Sequence, residues 1–143
     1  MKKLLLLCIA VCLTLTVAIV PSTAITSTDN FEMPGIVESS LNYSSADAYL
    51  NISSSGMATA GGLILGYTGI TTRTTIHLYL QRYSDGTWNI VDDWIRSEYT
   101  ATLTFSRQKQ VVKGYRYRVK ASCYAYSNSN CESVVAYSTT VSY

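Results

Sequence analysis

The stretch Gly114–Tyr143 reads GYRYRVKASCYAYSNSNCESVVAYSTTVSY, and its side chains alternate with a period of two. Tyr115, Tyr117, Val119, Ala121 and Cys123 fall on one side of an extended chain. Arg116, Arg118, Lys120, Ser122 and Tyr124 fall on the other, because successive residues of a strand point to opposite faces. Ser127 to Asn130 is turn chemistry. Beyond it the odd positions are Cys131, Ser133, Val135, Tyr137, Thr139 and Val141. Both arms are expected to turn their drier, odd positions toward one core. If Cys123 opposes Cys131, the reversal centres on Ser127 and the two sulfurs meet across neighbouring strands. The expectation is a structural Cys123–Cys131 disulfide whose short loop contributes about 2–3 kcal/mol at most and fixes register. Two cysteines and the lone His77 fall short of a four-ligand metal site. A redox role calls for closely spaced thiols, which this stretch lacks.

Upstream of this stretch the same period recurs. Ala46, Ala48, Leu50 and Ile52 alternate with Asp47, Tyr49 and Asn51. Met57 to Tyr67 is apolar but carries Gly61 and Gly62, which mark a bulge or a close backbone approach. Thr74, Ile76, Leu78 and Leu80 form the dry side of a strand whose other side is Thr75, His77, Tyr79 and Gln81. YSDGTW at 83–88 is the clearest local signal, since Asp-Gly accepts the positive φ angles of a tight hairpin. Tyr99, Ala101, Leu103 and Phe105 supply one more alternating set. About seven strands separated by turn signals predict an all-β antiparallel sandwich.

The amino terminus has a different character. Met1, Lys2 and Lys3 precede an apolar run from Leu4 to Val20, then Pro21 and the small residues Ser22, Thr23 and Ala24. This is the layout of a secretory signal peptide cleaved after Ala24, with no membrane association afterwards. The tail ending at Tyr143 is expected to supply neither a second anchor nor a wall-sorting signal. The expected organisation is a signal peptide at 1–24, a flexible leader at 25–45 and a β-sandwich at 46–143. The chain has 11 Lys+Arg and 9 Asp+Glu, so loss of Lys2 and Lys3 leaves nine of each. A neutral mature chain argues against nucleic acid as a partner.

AYLNISSSGMATAGG, IHLYLQRYSDGTWNIVDDW, KGYRYRVKASCYAY and ESVVAYS together resemble a family of small secreted proteins from clostridia-type Gram-positive bacteria. That family is uncharacterised and is grouped as a domain of unknown function. The resemblance spans nearly the whole mature chain and implies an immunoglobulin-like or fibronectin-like sandwich. It implies no activity, so no functional residue carries over. The inter-sheet Cys…Trp…Cys pattern of antibody domains is missing. By position, Tyr115 or Tyr117 takes the tyrosine-corner role near the start of the penultimate strand.

Catalytic readings find little support. His77 is the only histidine, on the more polar side of its strand, and no Gly-x-Ser-x-Gly elbow is present. Asp92 and Asp93, with Glu98, read as a solvated turn rather than an acid pair or calcium site. The glycines lack the lysine and helix of a phosphate loop. The expectation is a chain that is not an enzyme and uses no cofactor. Binding has a candidate surface: Arg116, Arg118 and Lys120 form a basic stripe that Tyr124 extends, with Tyr79 beside it if the two strands are neighbours. Its expected partner is an anionic cell-wall polymer or a protein. The blander account pairs these cations with Glu132 or the acidic leader. Trp88, Trp94 and Tyr83 near the Asp-Gly turn offer a stacking platform for a sugar, but Trp88 shares a side with Ile90 and core filling is the expectation. Together these features point to a secreted, non-catalytic interaction module. The alternative is a diffusible factor acting on other cells, antimicrobial or host-directed.

Overall fold

The computed structural model describes residues 40–128 and 130–143. The expected signal peptide and most of the expected leader lie outside the described residues. The described chain forms β1 (Tyr43–Ile52), β2 (Met57–Gly66), β3 (Arg73–Ser84), β4 (Thr87–Glu98), β5 (Thr102–Gln110), β6 (Arg116–Tyr126), β7 (Cys131–Tyr137) and β8 (Val141–Ser142). One antiparallel sheet runs β1-β2-β5, and the other runs β4-β3-β6-β7 with β8 also beside β6. β7 and β8 are successive pieces of one strand position. Ser138 bridges the break, its amide donating to Val119 O and its Oγ accepting from Val119 N. Seven strand positions in two sheets make this an immunoglobulin-like or fibronectin-like β-sandwich.

The local chemistry explains the hairpins. Asp85 and Gly86 take φ values of 54° and 78°, the mirror-image turn whose twist matches that of the flanking strands. The core lies between the sheets. Ile76, Leu78 and Leu80 of β3 and Val119 and Ala121 of β6 face Ala58, Ala60 and Ile64 of β2, and all are fully buried. Each large aliphatic side chain so buried contributes roughly 1.5–3 kcal/mol. β2 stays slim on this side because β3 fills the space: a Cβ at Gly62 would sit 3.1 Å from Leu78 Cδ2 and 3.3 Å from Ala121 Cβ. On the opposite side of β2, Gly61 lies under the Tyr49 ring, where a Cβ would come within 2.0 Å. The pairing of β2 is regular through both glycines, so they mark close approach and not a bulge.

Tyr117 is the tyrosine corner. It is 1 % exposed, and its hydroxyl donates to Val112 O at 2.8 Å, tying the β5–β6 connection to the start of β6. Tyr115 instead is partly exposed, with the Arg82 guanidinium over its ring.

The closing hairpin departs from expectation. Tyr126 pairs with Cys131, and Cys123 pairs with Val134. The reversal is therefore centred one and a half positions later than Ser127. An offset of three positions is odd, so it turns the even residues Glu132, Val134 and Ala136 inward and the odd ones outward. Cys123 is buried in the core while Cys131 is exposed on the other side of the sheet, and both are free thiols. The expected disulfide has no geometry here, since its sulfurs sit on opposite faces.

β1 begins at Tyr43, ahead of the expected start at Ala46. Glu132 fastens the incoming chain: its carboxylate accepts from the Ser40 hydroxyl and, at 3.0 Å each, from the Leu41 and Asn42 amides. These donors hold the Glu132 carboxyl below its ordinary range, the Ser40 hydroxyl contributing most. Asn42 is itself buried, its amide donating to Ala125 O at 3.3 Å.

Candidate binding face

β3 is a central strand, with β4 on one flank and β6 on the other. Its odd residues and the even residues of β6 share the outer face of the five-stranded sheet. Register assembles continuous rows across four strands. Asp93, Tyr79, Lys120 and Tyr137 form one row, and Ile95, His77, Ser122 and Val135 form the next. Trp88, Tyr83 and Arg116 form another toward the Asp-Gly turn.

The candidates Arg116, Arg118, Lys120 and Tyr79 come together on this face. Lys120 Nζ lies 5.5 Å from the Tyr79 ring centre, and the Arg116 guanidinium lies 4.3 Å from that of Tyr83. Arg118 sits over two rings, 4.2 Å from Trp88 and 4.6 Å from Tyr137, and its Nε donates to Gln81 Oε1 at 2.8 Å. Tyr124 shares the face but stands opposite Thr75 and Ser133, apart from the cation–ring contacts. Such contacts contribute about 0.5–1 kcal/mol each at exposed sites and more where water is excluded. They also restrain long side chains that would otherwise be mobile.

The charge balance differs from the blander expectation. Glu132 is committed to Ser40, Leu41 and Asn42 and not to the stripe. Among the described residues the ion pairs are His77–Asp93, Arg96–Glu98 and Lys109–Asp92, and none involves Arg116, Arg118 or Lys120. Three cations on one strand are thus held by rings and a neutral amide.

Asp92 and Asp93 do not form a turn. They lie inside β4 at a bulge between Leu80 and Gln81 of its partner, and they point to opposite faces. Asp92 reaches Lys109 of β5 at 2.7 Å, and that hydrogen bond holds its carboxyl below the ordinary range. Asp93 accepts from His77 Nε2 at 2.7 Å, and His77 Nδ1 lies 2.8 Å from the Tyr79 hydroxyl. The two rings stack with centroids 4.0 Å apart. An aspartate, a histidine and a hydroxyl in series have the order of the orienting acid, base and nucleophile in acyl-transfer sites. The phenol, however, is pushed above its ordinary range, first by burial and then by Tyr124 and Asp93. Tyr79 therefore stays protonated at neutral pH. The series fixes the Tyr79 ring beside Lys120.

The same bulge corrects the reading of Trp88. With one extra residue at Val91, Trp94 packs inward opposite Leu78 while Trp88 and Ile90 face outward. Trp88 meets Tyr83 edge-on at 5.2 Å and carries Arg118. Sequence reading missed Trp88, Tyr83 and Tyr137 as partners of the stripe. Alternation along β3 puts Tyr83 on the side of Tyr79, and for Trp88 the signal available was the acidic pair interrupting an apolar strand.

Compared with known proteins, the chain matches no family model, no curated protein and no solved structure.

Proposed function

We propose that this protein is a secreted, non-catalytic β-sandwich module whose outer five-stranded face binds an anionic polymer of the cell envelope. The carrying observation is the row Arg116, Arg118 and Lys120, seated on aromatic rings and without an acidic partner among the described residues. Cations already ordered by the fold lose little freedom when an anion arrives, so more of the Coulombic attraction appears as affinity. The amino-terminal layout supports export with cleavage after Ala24, and the neutral mature composition supports a local patch over a generally basic protein. The resemblance to small secreted proteins of clostridia-type bacteria is in keeping with this reading.

The test is cosedimentation of the mature secreted protein with purified cell-wall sacculi across a salt series. Retention at low salt that is lost at high salt, and lost in Arg116→Ala/Arg118→Ala, is the expected result. No retention at any salt removes the envelope-binding function; growth inhibition of other cells by the same preparation would then assign a diffusible factor.

A further inference from the structure

We infer that this face reads a particular spacing of negative charge, that of a phosphodiester-linked polyol chain with one phosphate for each of Arg116, Arg118 and Lys120. The inference rests on the outer face being the contact surface, and it adds the chemical class of the ligand. Outward side chains two residues apart on an antiparallel strand are spaced by about 6.8 Å. Two residues of extended backbone contain six bonds between equivalent atoms. A phosphate joined to the next through a three-carbon polyol also spans six bonds: one P–O, one O–C, two C–C, one C–O and one O–P. An extended polymer of that kind therefore advances per charge by nearly the same distance as separates the outward positions of β6 on which the three cations are rooted. Polymers that carry a carboxylate on a rigid sugar ring take their charge spacing from the ring and do not share this repeat.

The side chains suit phosphate as well as the spacing does. Arg118 uses Nε for Gln81 and lies over Trp88 and Tyr137, which leaves its two Nη groups without a hydrogen bond among the described residues. A guanidinium held in that way presents a two-pronged donor to phosphate oxygens. Arg116, at the exposed end of β6, and Lys120 beside Tyr79 extend the row in both directions. Single-stranded nucleic acid also repeats every six backbone bonds, but it gains much of its affinity by stacking bases on open aromatic faces. Here Tyr83, Trp88 and Tyr79 are each engaged by a cation, so the face is built for the phosphates and not for bases.

The decisive experiment titrates the mature protein, by the change in tryptophan emission, with glycerol phosphate oligomers of one to six phosphates. Polyglutamate, a polyuronate and an oligothymidylate of matched charge serve as comparisons. Affinity is expected to rise steeply up to three phosphates and to level off beyond. The slope of log affinity against log salt should be about −2 for the longer oligomers, as three single-strand-like contacts require. Arg118→Lys, which keeps the charge and the fold, should bind the trimer several-fold more weakly, and Lys120→Met should reduce the useful length to two phosphates. Equal affinity for all polyanions would overturn the spacing inference while leaving the cationic surface standing. Tighter binding of the thymidylate would overturn it in favour of nucleic acid. Binding of none of them would remove both the inference and the function on which it rests.

Discussion

Replacing Tyr117 by Phe removes one hydroxyl and leaves the buried ring in place. That hydroxyl donates to Val112 O at 2.8 Å from a residue that is 1 % exposed, and it ties the β5–β6 connection to the start of β6. No aromatic volume is lost, so no cavity term enters. What is lost is one hydrogen bond, with the carbonyl left to find water on a partly exposed connection. The expected destabilisation is roughly 1–2 kcal/mol. For a domain of about 100 residues that lowers the melting temperature by about 5–10 °C. Tyr115→Phe is the control. Tyr115 lies two residues away and is 37 % exposed, and its hydroxyl makes no hydrogen bond among the described residues. The control should therefore shift stability by less than about 0.5 kcal/mol. Urea unfolding followed by tryptophan emission measures both, with Trp94 against the core reporting loss of packing. Equal midpoints for Tyr117→Phe and the unmodified protein, or equal losses for the two variants, would refute the assignment of the corner.

Other outcomes follow from the packing. Burial pushes the Cys123 thiol up to about 11, so Cys131 should alkylate in the native protein while Cys123 reacts only after unfolding, as intact mass will show. The depressed Glu132 carboxyl contributes stability that is present above the ordinary glutamate value of 4.5 and lost as pH falls through the lower folded value. Melting temperature should accordingly fall on acidification below that value, and Glu132→Gln should flatten the dependence. A Cβ at Gly61 would come within 2.0 Å of the far end of the Tyr49 ring, which is exposed and can swing aside, so Gly61→Ala should displace that ring and destabilise by about 1 kcal/mol or less. The same substitution made in Tyr49→Ala should be nearly neutral in a double-mutant thermal series.

The β3–β4 hairpin was legible because its determinant is local: Asp85 and Gly86 adopt the positive φ angles that the flanking strands require. The stripe was legible for a similar reason, since alternation alone sends Arg116, Arg118 and Lys120 to one side of β6. The closing hairpin was not. In β7 the odd set Ser133, Val135 and Tyr137 is as apolar as the even set Glu132, Val134 and Ala136, so patterning does not choose between them. Glu132 helps to choose, through Ser40, Leu41 and Asn42 some 90 residues earlier in the chain. Trp88 was misplaced because the bulge at Val91 reverses parity within a single strand, and only pairing with β3 reveals it.

Composition and period alone specify an all-β sandwich with a cationic row facing away from its core, because side-chain alternation is a property of the backbone. Which residues meet that row, and on which side each sulfur lies, follows only from the assembled sheets. Register, bulges and cross-strand neighbours depend on contacts between segments far apart in the chain, and the energy of those contacts is absent from any local stretch of residues.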